Sequence, residues 1–459
     1  MEAGTTAAPA GRAPDSEGPL RRAIGRRMLL FFILGDILGA GIYALVGEVG
    51  GEIGGAVWVA FTVGLVLALC TAFAYAELVT KYPHAGGAAL YINHAFKRPF
   101  LTFMVAFAVM ASGVTSASTL ARAFAGDYLE EFVSVPTTLA ALVFIGIVAL
   151  INFRGISESV KTNMVLTVVE LTGLLIIILI GLWVLGNGDG EIGRNFEFKE
   201  GENVFVAILA GTALAFYALI GFEDSANVAE ETQEPTRSYP FALFAGILIA
   251  GGIYFLVTFA ASLVVPAERL IDSDGPLLEV VREGSSIPTR LFSAIALLAI
   301  ANGALIKMIM ASRLLYGMSK EKIMPGALGR VHEGRRTPWV AIVFTTLLAV
   351  VLISVGTLED LAAATVILLL LVFTLVNLAV LVLRRERVDH AHFTTRALFP
   401  VLGIVISIAL LIKLATDKDV KVLVITALVL AAGALLWVAT RLLGSGTGHH
   451  DSDASEPGR

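Results

Sequence analysis

The sequence has 459 residues, 57% of them hydrophobic and 15% charged, with a formal net charge of -5. At a mean hydropathy of +0.83 most of its surface is expected to face lipid rather than water, which excludes an ordinary soluble globule. The small net charge and the lack of a long basic tract argue against nucleic acid as a partner, and a single cysteine, Cys70, cannot form an intrachain disulfide.

Residues 1–20 are rich in Ala, Gly, Pro and acidic residues without an apolar core, and read as a disordered cytoplasmic tail rather than a signal peptide. Apolar runs follow at 28–47, 54–79, 99–121, 136–153, 162–185, 203–228, 240–265, 288–316, 338–356, 358–382, 399–416 and 420–442. Each is close to the roughly 20 residues that a helix needs to cross a bilayer core. Apolar residues on all faces and frequent Gly fit helices packed among helices in lipid, and the short alternating segments of a barrel are absent from the sequence. The predicted fold is an all-α membrane protein of 12 transmembrane helices. A transporter domain is expected over 21–442, with a first repeat at 28–185, a second at 203–382 and two additional helices at 399–442. Residues 443–459 read as a second disordered cytoplasmic tail, whose His449 and His450 are solvated rather than metal-binding; no metal and no cofactor are expected.

Basic residues collect on one side of this topology: Arg21, Arg22, Arg26, Arg27, Lys81, Lys97, Arg98, Arg154, Lys161, Lys320, Lys322, Arg335, Arg336, Arg384, Arg385 and Arg387. The other side holds few, chiefly Arg194, Lys199, Arg269, Arg282, Lys418 and Lys421. The positive-inside rule then predicts a multi-pass protein with both termini cytoplasmic, suiting a bacterial plasma membrane. Two outer loops stand out. The polar, glycine-rich stretch before Val204 is one; the other, Pro266 to Pro288, is long enough for a short surface helix. Each is either a lid or a plain connector.

Two runs interrupt themselves. In "GDILGAGIYALVG", Gly35 to Gly47, the small residues Gly39, Ala40 and Gly41 lie mid-span beside Asp36. A lipid-facing break there would expose N–H and C=O groups at a cost of several kcal/mol, so protein or ligand must fill it. In the sixth run Gly221 is followed by Glu223, Asp224 and Asn227, then by Glu230 and Glu231. Carboxylates at such depth cost roughly 2.5–3.5 kcal/mol each against lipid, so they must face protein, water or a solute. Runs one and six correspond if the first ten form two groups of five. An odd number of crossings inverts the second group, and matched breaks in inverted halves point to a transporter's binding site. Half-helix ends present amide hydrogens and carbonyls together, a combination suited to a carboxylate and an ammonium on one molecule, hence to an amino acid.

Four ordered motifs carry a family resemblance over about residues 25–440: "ILGAGIYALVG" at Ile37, "AYAELVTKYPHAGGAALYI" at Ala74, "GFEDSANVAEETQEPTRSYP" at Gly221 and "MASRLLYGMSKEKIMP" at Met310. They resemble the amino acid, polyamine and organocation transporter superfamily, near the cationic amino acid transporter group. That resemblance implies an inverted five-helix repeat plus two extra helices, discontinuous helices 1 and 6, and alternating access. It implies a substrate carboxylate at Gly39, Ala40 and Gly41, its amine near Phe216, Ala218, Leu219 and Gly221, and an occluding aromatic at Phe216 or Tyr217.

Proton coupling is assigned first to Glu170, deep in the fifth run, where proton-coupled relatives carry a lysine; Asp36 comes second, with Glu223 or Asp224 behind. The alternative for Glu170 is an internal tie between helices five and one. The eighth run lacks an adjacent Ser/Thr pair at mid-depth, which disfavours sodium. Lys307 in that run is expected to pair with an internal acid or to replace a cation. Asp36, Glu223 and Asp224 either accept the side-chain amine of a cationic amino acid or are internally paired, leaving a pocket for neutral ones. Glu77, Lys81 and Arg154 are expected to join Glu230, Glu231 and Arg237 in ion pairs of a cytoplasmic gate, with ordinary solvation as the alternative.

An enzyme would need a nucleophile, base or metal set that the sequence does not group. The reading is therefore secondary active transport of amino acids, proton-coupled and cationic or broad in specificity. An antiporter or a neutral amino acid permease is the alternative, with a channel or a transporter-like sensor behind. The oligomeric state has no signal in the sequence.

Overall fold

The computed structural model describes residues 24–444 apart from 40, 85, 156–159, 322, 323, 333, 336, 418 and 419. Ala40, Arg21, Arg22, Lys322, Arg336, Lys418, the tail expected at 1–20 and residues 445–459 of that expected at 443–459, with His449 and His450, thus lie outside the described residues, while Leu443 and Gly444 end the last helix.

Among the described residues the chain is helical, with three isolated β-bridges in place of strands. The helices are α1 (Arg26–Ile37), α2 (Gly41–Ile53), α3 (Val57–Lys81), α4 (Gly87–Phe96), α5 (Pro99–Phe124), α6 (Asp127–Glu130), α7 (Thr137–Arg154), α8 (Val160–Asn187), α9 (Val204–Ala218), α10 (Pro235–Val264), α11 (Ala267–Ile271), α12 (Pro276–Gly284), α13 (Thr289–Lys320), α14 (Trp339–Val355), α15 (Leu358–Leu383), α16 (Leu398–Asp417) and α17 (Val420–Gly444). A 3₁₀ segment, Phe222–Glu231, continues α9.

Ten helical stretches are long and apolar enough to span a bilayer, and α1 with α2 make an eleventh as a bent pair. The ninth run coincides with α14, which is apolar but only 17 residues long, about 25 Å at 1.5 Å per residue and at the short end for a bilayer crossing. Pro338 and Gly356 bound it. Other ends are likewise written locally. Pro99 and Pro235 occupy first-turn positions, where a missing N–H costs nothing, and Asn203 caps α9 by accepting from the Phe205 amide at 2.9 Å. Thr357 and Asp360 form a reciprocal capping box on α15, and Asp360 also holds Lys421 Nζ of α17 at 2.6 Å.

Two packing groups meet in the middle. In one, α1 lies on α10, α10 on α3, and α9 on α2 and α3; in the other, α13 packs along α5 and α8, with α15 and α14 also on α5. At the end carrying Asn187 and Gly275, loops close over α2. A Cβ on Gly47 would overlap the Leu270 carbonyl oxygen, and one on Gly55 that of Arg194. The Pro266–Pro288 loop holds two short helices rather than one, and α12 is not a surface helix: Leu277, Leu278, Val280 and Val281 are all buried.

Candidate solute site

The first break is where α1 stops at Ile37 and α2 restarts at Gly41, the two axes diverging by 43°. The hydroxyl of buried Tyr254 donates to the Ile37 carbonyl, supplying one of the partners the interrupted ladder lacks. The second break follows Ala218. Gly221 sits at φ 133°, a conformation open to glycine alone, and the chain leaves it as a ten-residue 3₁₀ segment, much longer than such helices usually run.

The two breaks touch, backbone to backbone. A Cβ on Gly41 would lie 2.7 Å from Ala218 Cα, and one on Gly221 2.7 Å from the Asp36 carbonyl oxygen. Around Gly39, by contrast, a Cβ would meet within 4 Å only the Asp36 and Gly35 carbonyl oxygens of its own chain, among the described residues.

Four charged side chains converge here. Lys307 Nζ of α13 lies 2.8 Å from Asp224 Oδ2 and 3.2 Å from Asp36 Oδ1. Glu223 Oε2 accepts from the Gly221 amide at 2.8 Å, and the Asp224 amide donates to Gly221 O at 3.0 Å. Asp36, Glu223, Asp224 and Lys307 are 9%, 6%, 8% and 8% exposed. Asp36 Oδ2 is buried without a hydrogen-bond partner among the described residues, an unused acceptor in a place where such groups are rare. Two carboxylates share one ammonium, with Glu223 beside them on the Gly221 amide. Lys307 is thus paired with internal acids, the first of the two roles the sequence left open for it.

Of the aromatic candidates, Phe216 is fully buried, edge-on to Phe373 at 6.0 Å. Tyr217 donates to the Ser116 carbonyl at 3.1 Å and accepts from its hydroxyl at 3.0 Å, joining the second break to α5. Glu170 belongs to a neighbouring network. It is fully buried, its Oε1 accepts from Asn302 Nδ2 at 2.9 Å, and its backbone carbonyl accepts from the Tyr43 hydroxyl at 2.7 Å. It therefore ties α8 to α2 and α13. Asn302 is a member that sequence reasoning missed, since nothing local marks it.

The residues expected at a gate are not gathered in one place. Glu77 Oε2 accepts from the Thr395 amide at 2.8 Å and faces Arg384 at 3.7 Å. Lys81 Nζ donates to the carbonyls of Leu383 and Glu386 at 2.6 and 2.7 Å. Both thus engage the segment between α15 and α16. Arg154 is exposed at the end of α7, Arg237 is exposed in α10, and Glu230 and Glu231 are half-buried at the far end of the 3₁₀ segment. A separate cavity of about 290 Å³ lies at the ends of α8 and α10, lined by Asn187, Asp189, Arg194, Arg269 and Glu283 among others, and the breaks do not line it.

Paired broken helices, touching backbone to backbone and surrounded by buried charge inside a bundle of membrane-length helices, are the features of a carrier's binding site. The family model described as "Amino acid permease" matches residues 24–436. The chain belongs to the amino acid permease family. This permease is 24% identical over 399 residues to the branched-chain amino acid permease BcaP of Bacillus subtilis, covering 82% of this chain and 84% of that one. To the low-affinity putrescine importer PlaP of Escherichia coli it is 28% identical over 331 residues, 69% and 71% of the two chains. Cationic amino acid transporter 4 of Mus musculus is 28% identical over 396 residues, 81% of the permease and 61% of the mouse protein. These relatives are named as carriers of small amines and amino acids rather than as enzymes.

Proposed function

We propose that this permease is a secondary active amino acid carrier working by alternating access, with the solute held at the two breaks. The observation that carries the reading is the contact of Gly221 with Asp36 and of Gly41 with Ala218, which puts both interrupted helices at one place. On this reading the chain crosses the plasma membrane twelve times as two inverted five-helix repeats plus two helices, with both termini cytoplasmic. The solute carboxylate meets Gly39, Ala40 and Gly41. The ammonium meets Asp36, Phe216, Ala218, Leu219, Gly221 and Glu223, and Phe216 or Tyr217 occludes it.

The preferred solute is cationic or the specificity is broad. Support comes from the three carboxylates set against one ammonium, because uncompensated buried negative charge favours a positive partner. Uptake is coupled to protons rather than sodium, with Glu170 as the titrating group, Asp36 and Asp224 as alternates.

Uptake of radiolabelled solutes into proteoliposomes of the purified full chain tests this, using cationic and neutral amino acids and a diamine, with pH and sodium gradients imposed separately. Saturable accumulation of a cationic amino acid driven by an inward proton gradient is expected. Accumulation driven only by sodium, or non-saturable flux, would contradict it.

A further inference from the structure

Lys307 links α13 directly to two half-helices that otherwise reach it chiefly through α8, which packs on α1, α10 and α13 alike. On one side, α1 and the 3₁₀ segment are fastened together at both ends. Near the breaks, Gly221 abuts the Asp36 carbonyl. At the other end, the Ile24 amide donates to Glu231 O at 3.0 Å and the Gln233 amide donates to Ile24 O at 2.8 Å. Both half-helices also pack on α10. On the other side, α13 runs along α5 and α8. Asp36 precedes the first break and Asp224 follows the second, so both carboxylates lie on the half-helices that lead away from the breaks toward Arg26 and Glu231. Nζ of Lys307 is the ionic link between these half-helices and α13.

We infer that Lys307 is a positioning residue that latches the paired half-helices onto α13 and so closes the solute site toward the end carrying Arg26. One ammonium takes one carboxylate from each broken helix, so neither half-helix leaves α13 while both contacts persist. Releasing Nζ frees the pair as a unit, because the Ile24 ladder and the Gly221 contact remain. The same residue also fixes how much negative charge the breaks present. The inference rests on the reading that a solute occupies the breaks, but the latch itself is measurable with no solute present.

The test uses the full chain with its one cysteine removed, Cys70→Ser, and a reporter at Leu29→Cys. Leu29 is fully buried and lies seven residues before Asp36, on the same helix face and nearer the Arg26 end. A second reporter, Leu277→Cys in α12, is fully buried toward the opposite end. A water-soluble maleimide is added to detergent-purified protein and the labelling rate is read. Lys307→Met is expected to speed labelling at position 29 at least tenfold and to leave position 277 unchanged. The neutral combination Asp36→Asn, Lys307→Met, Asp224→Asn removes the latch together with both carboxylates it holds and leaves Glu223 on the Gly221 amide, so it answers the question even if Lys307→Met alone does not fold; the same acceleration is expected. Unchanged labelling at position 29 in the neutral combination, or equal acceleration at both reporters, would overturn the latch. Amino acid uptake fails or succeeds independently of either result.

Discussion

Gly221 and Asp36 are in contact across 185 positions of sequence, so close that a Cβ on the glycine would lie 2.7 Å from the Asp36 carbonyl oxygen. The glycine also holds φ at 133°. Gly221→Ala therefore meets strain twice, once in its own backbone and once against α1. Such conformations cost about 1–3 kcal/mol for a residue with a side chain, before the clash is added. The expected outcome is a lower unfolding temperature and uptake reduced at least tenfold. Gly252→Ala, where a new Cβ meets nothing within 4 Å, serves as the comparison and is expected to behave as the parent; equal behaviour of the two variants would refute the account of this contact.

Glu170 accepts from Asn302 and, through its carbonyl, from Tyr43. If its carboxyl carries the coupling proton, Glu170→Gln keeps a neutral group of the same shape but cannot release a proton. Uptake driven by a pH gradient is expected to fall at least tenfold, while exchange of labelled for unlabelled solute across the same vesicles persists. Parent-like proton-driven accumulation in this variant would show that titration of Glu170 is not required.

Lys81 places its ammonium on the carbonyls at the end of α15, where a cation satisfies orphan acceptors and complements the helix dipole. Hydrogen bonds to a charged group contribute about 1.5–3 kcal/mol. Lys81→Met is expected to lower the unfolding temperature in detergent and to increase amide exchange across 383–395, with solute preference unchanged. A shift in preference without loss of stability would place Lys81 at the solute instead.

At the opposite end, Glu131 fastens α12: its carboxylate accepts from the Thr289 hydroxyl at 2.6 Å and pairs with Arg282. The Thr289 hydrogen bond first, then that from Arg282, holds the Glu131 carboxyl below its ordinary value of 4.5. A carboxyl lowered in the folded state stabilises it above the unfolded value and loses that contribution as pH falls through the folded one. Amide exchange in 276–284, corrected for its intrinsic pH dependence, is therefore expected to be flat from pH 8 to about 5 and to rise below about 4. Glu131→Gln should raise it already at pH 7. A pH-independent profile in the parent would count against this fastening.

The breaks were legible because each lies in an apolar run that tolerates no interruption without a partner: Gly39 and Gly41 beside Asp36, and Gly221 before Glu223 and Asp224. The identity of those partners was not. Lys307 and Asp224 are 83 residues apart, Asn302 and Glu170 132, and Lys81 and the Leu383 carbonyl 302. Pairing between distant helices follows no periodicity along the chain, so a buried charge announces that a partner exists without naming it. The departure of Glu77 and Lys81 toward the segment between α15 and α16 has the same origin. The burial of α12 is different, since Leu277, Leu278, Val280 and Val281 lie at helical spacing and mark an apolar face that needs a partner to cover it.

The central claim is that a solute occupies the space at the first break, and Gly39 offers the most direct probe of it. Because a Cβ there would meet within 4 Å only carbonyl oxygens of its own segment among the described residues, Gly39→Leu is rooted in the proposed solute space rather than against a neighbouring helix. Equilibrium binding of a labelled cationic amino acid to purified protein, measured beside its unfolding temperature, separates the outcomes. Loss of saturable binding at an unchanged unfolding temperature is predicted; binding with the parent's Kd in a stably folded Gly39→Leu protein would contradict the account.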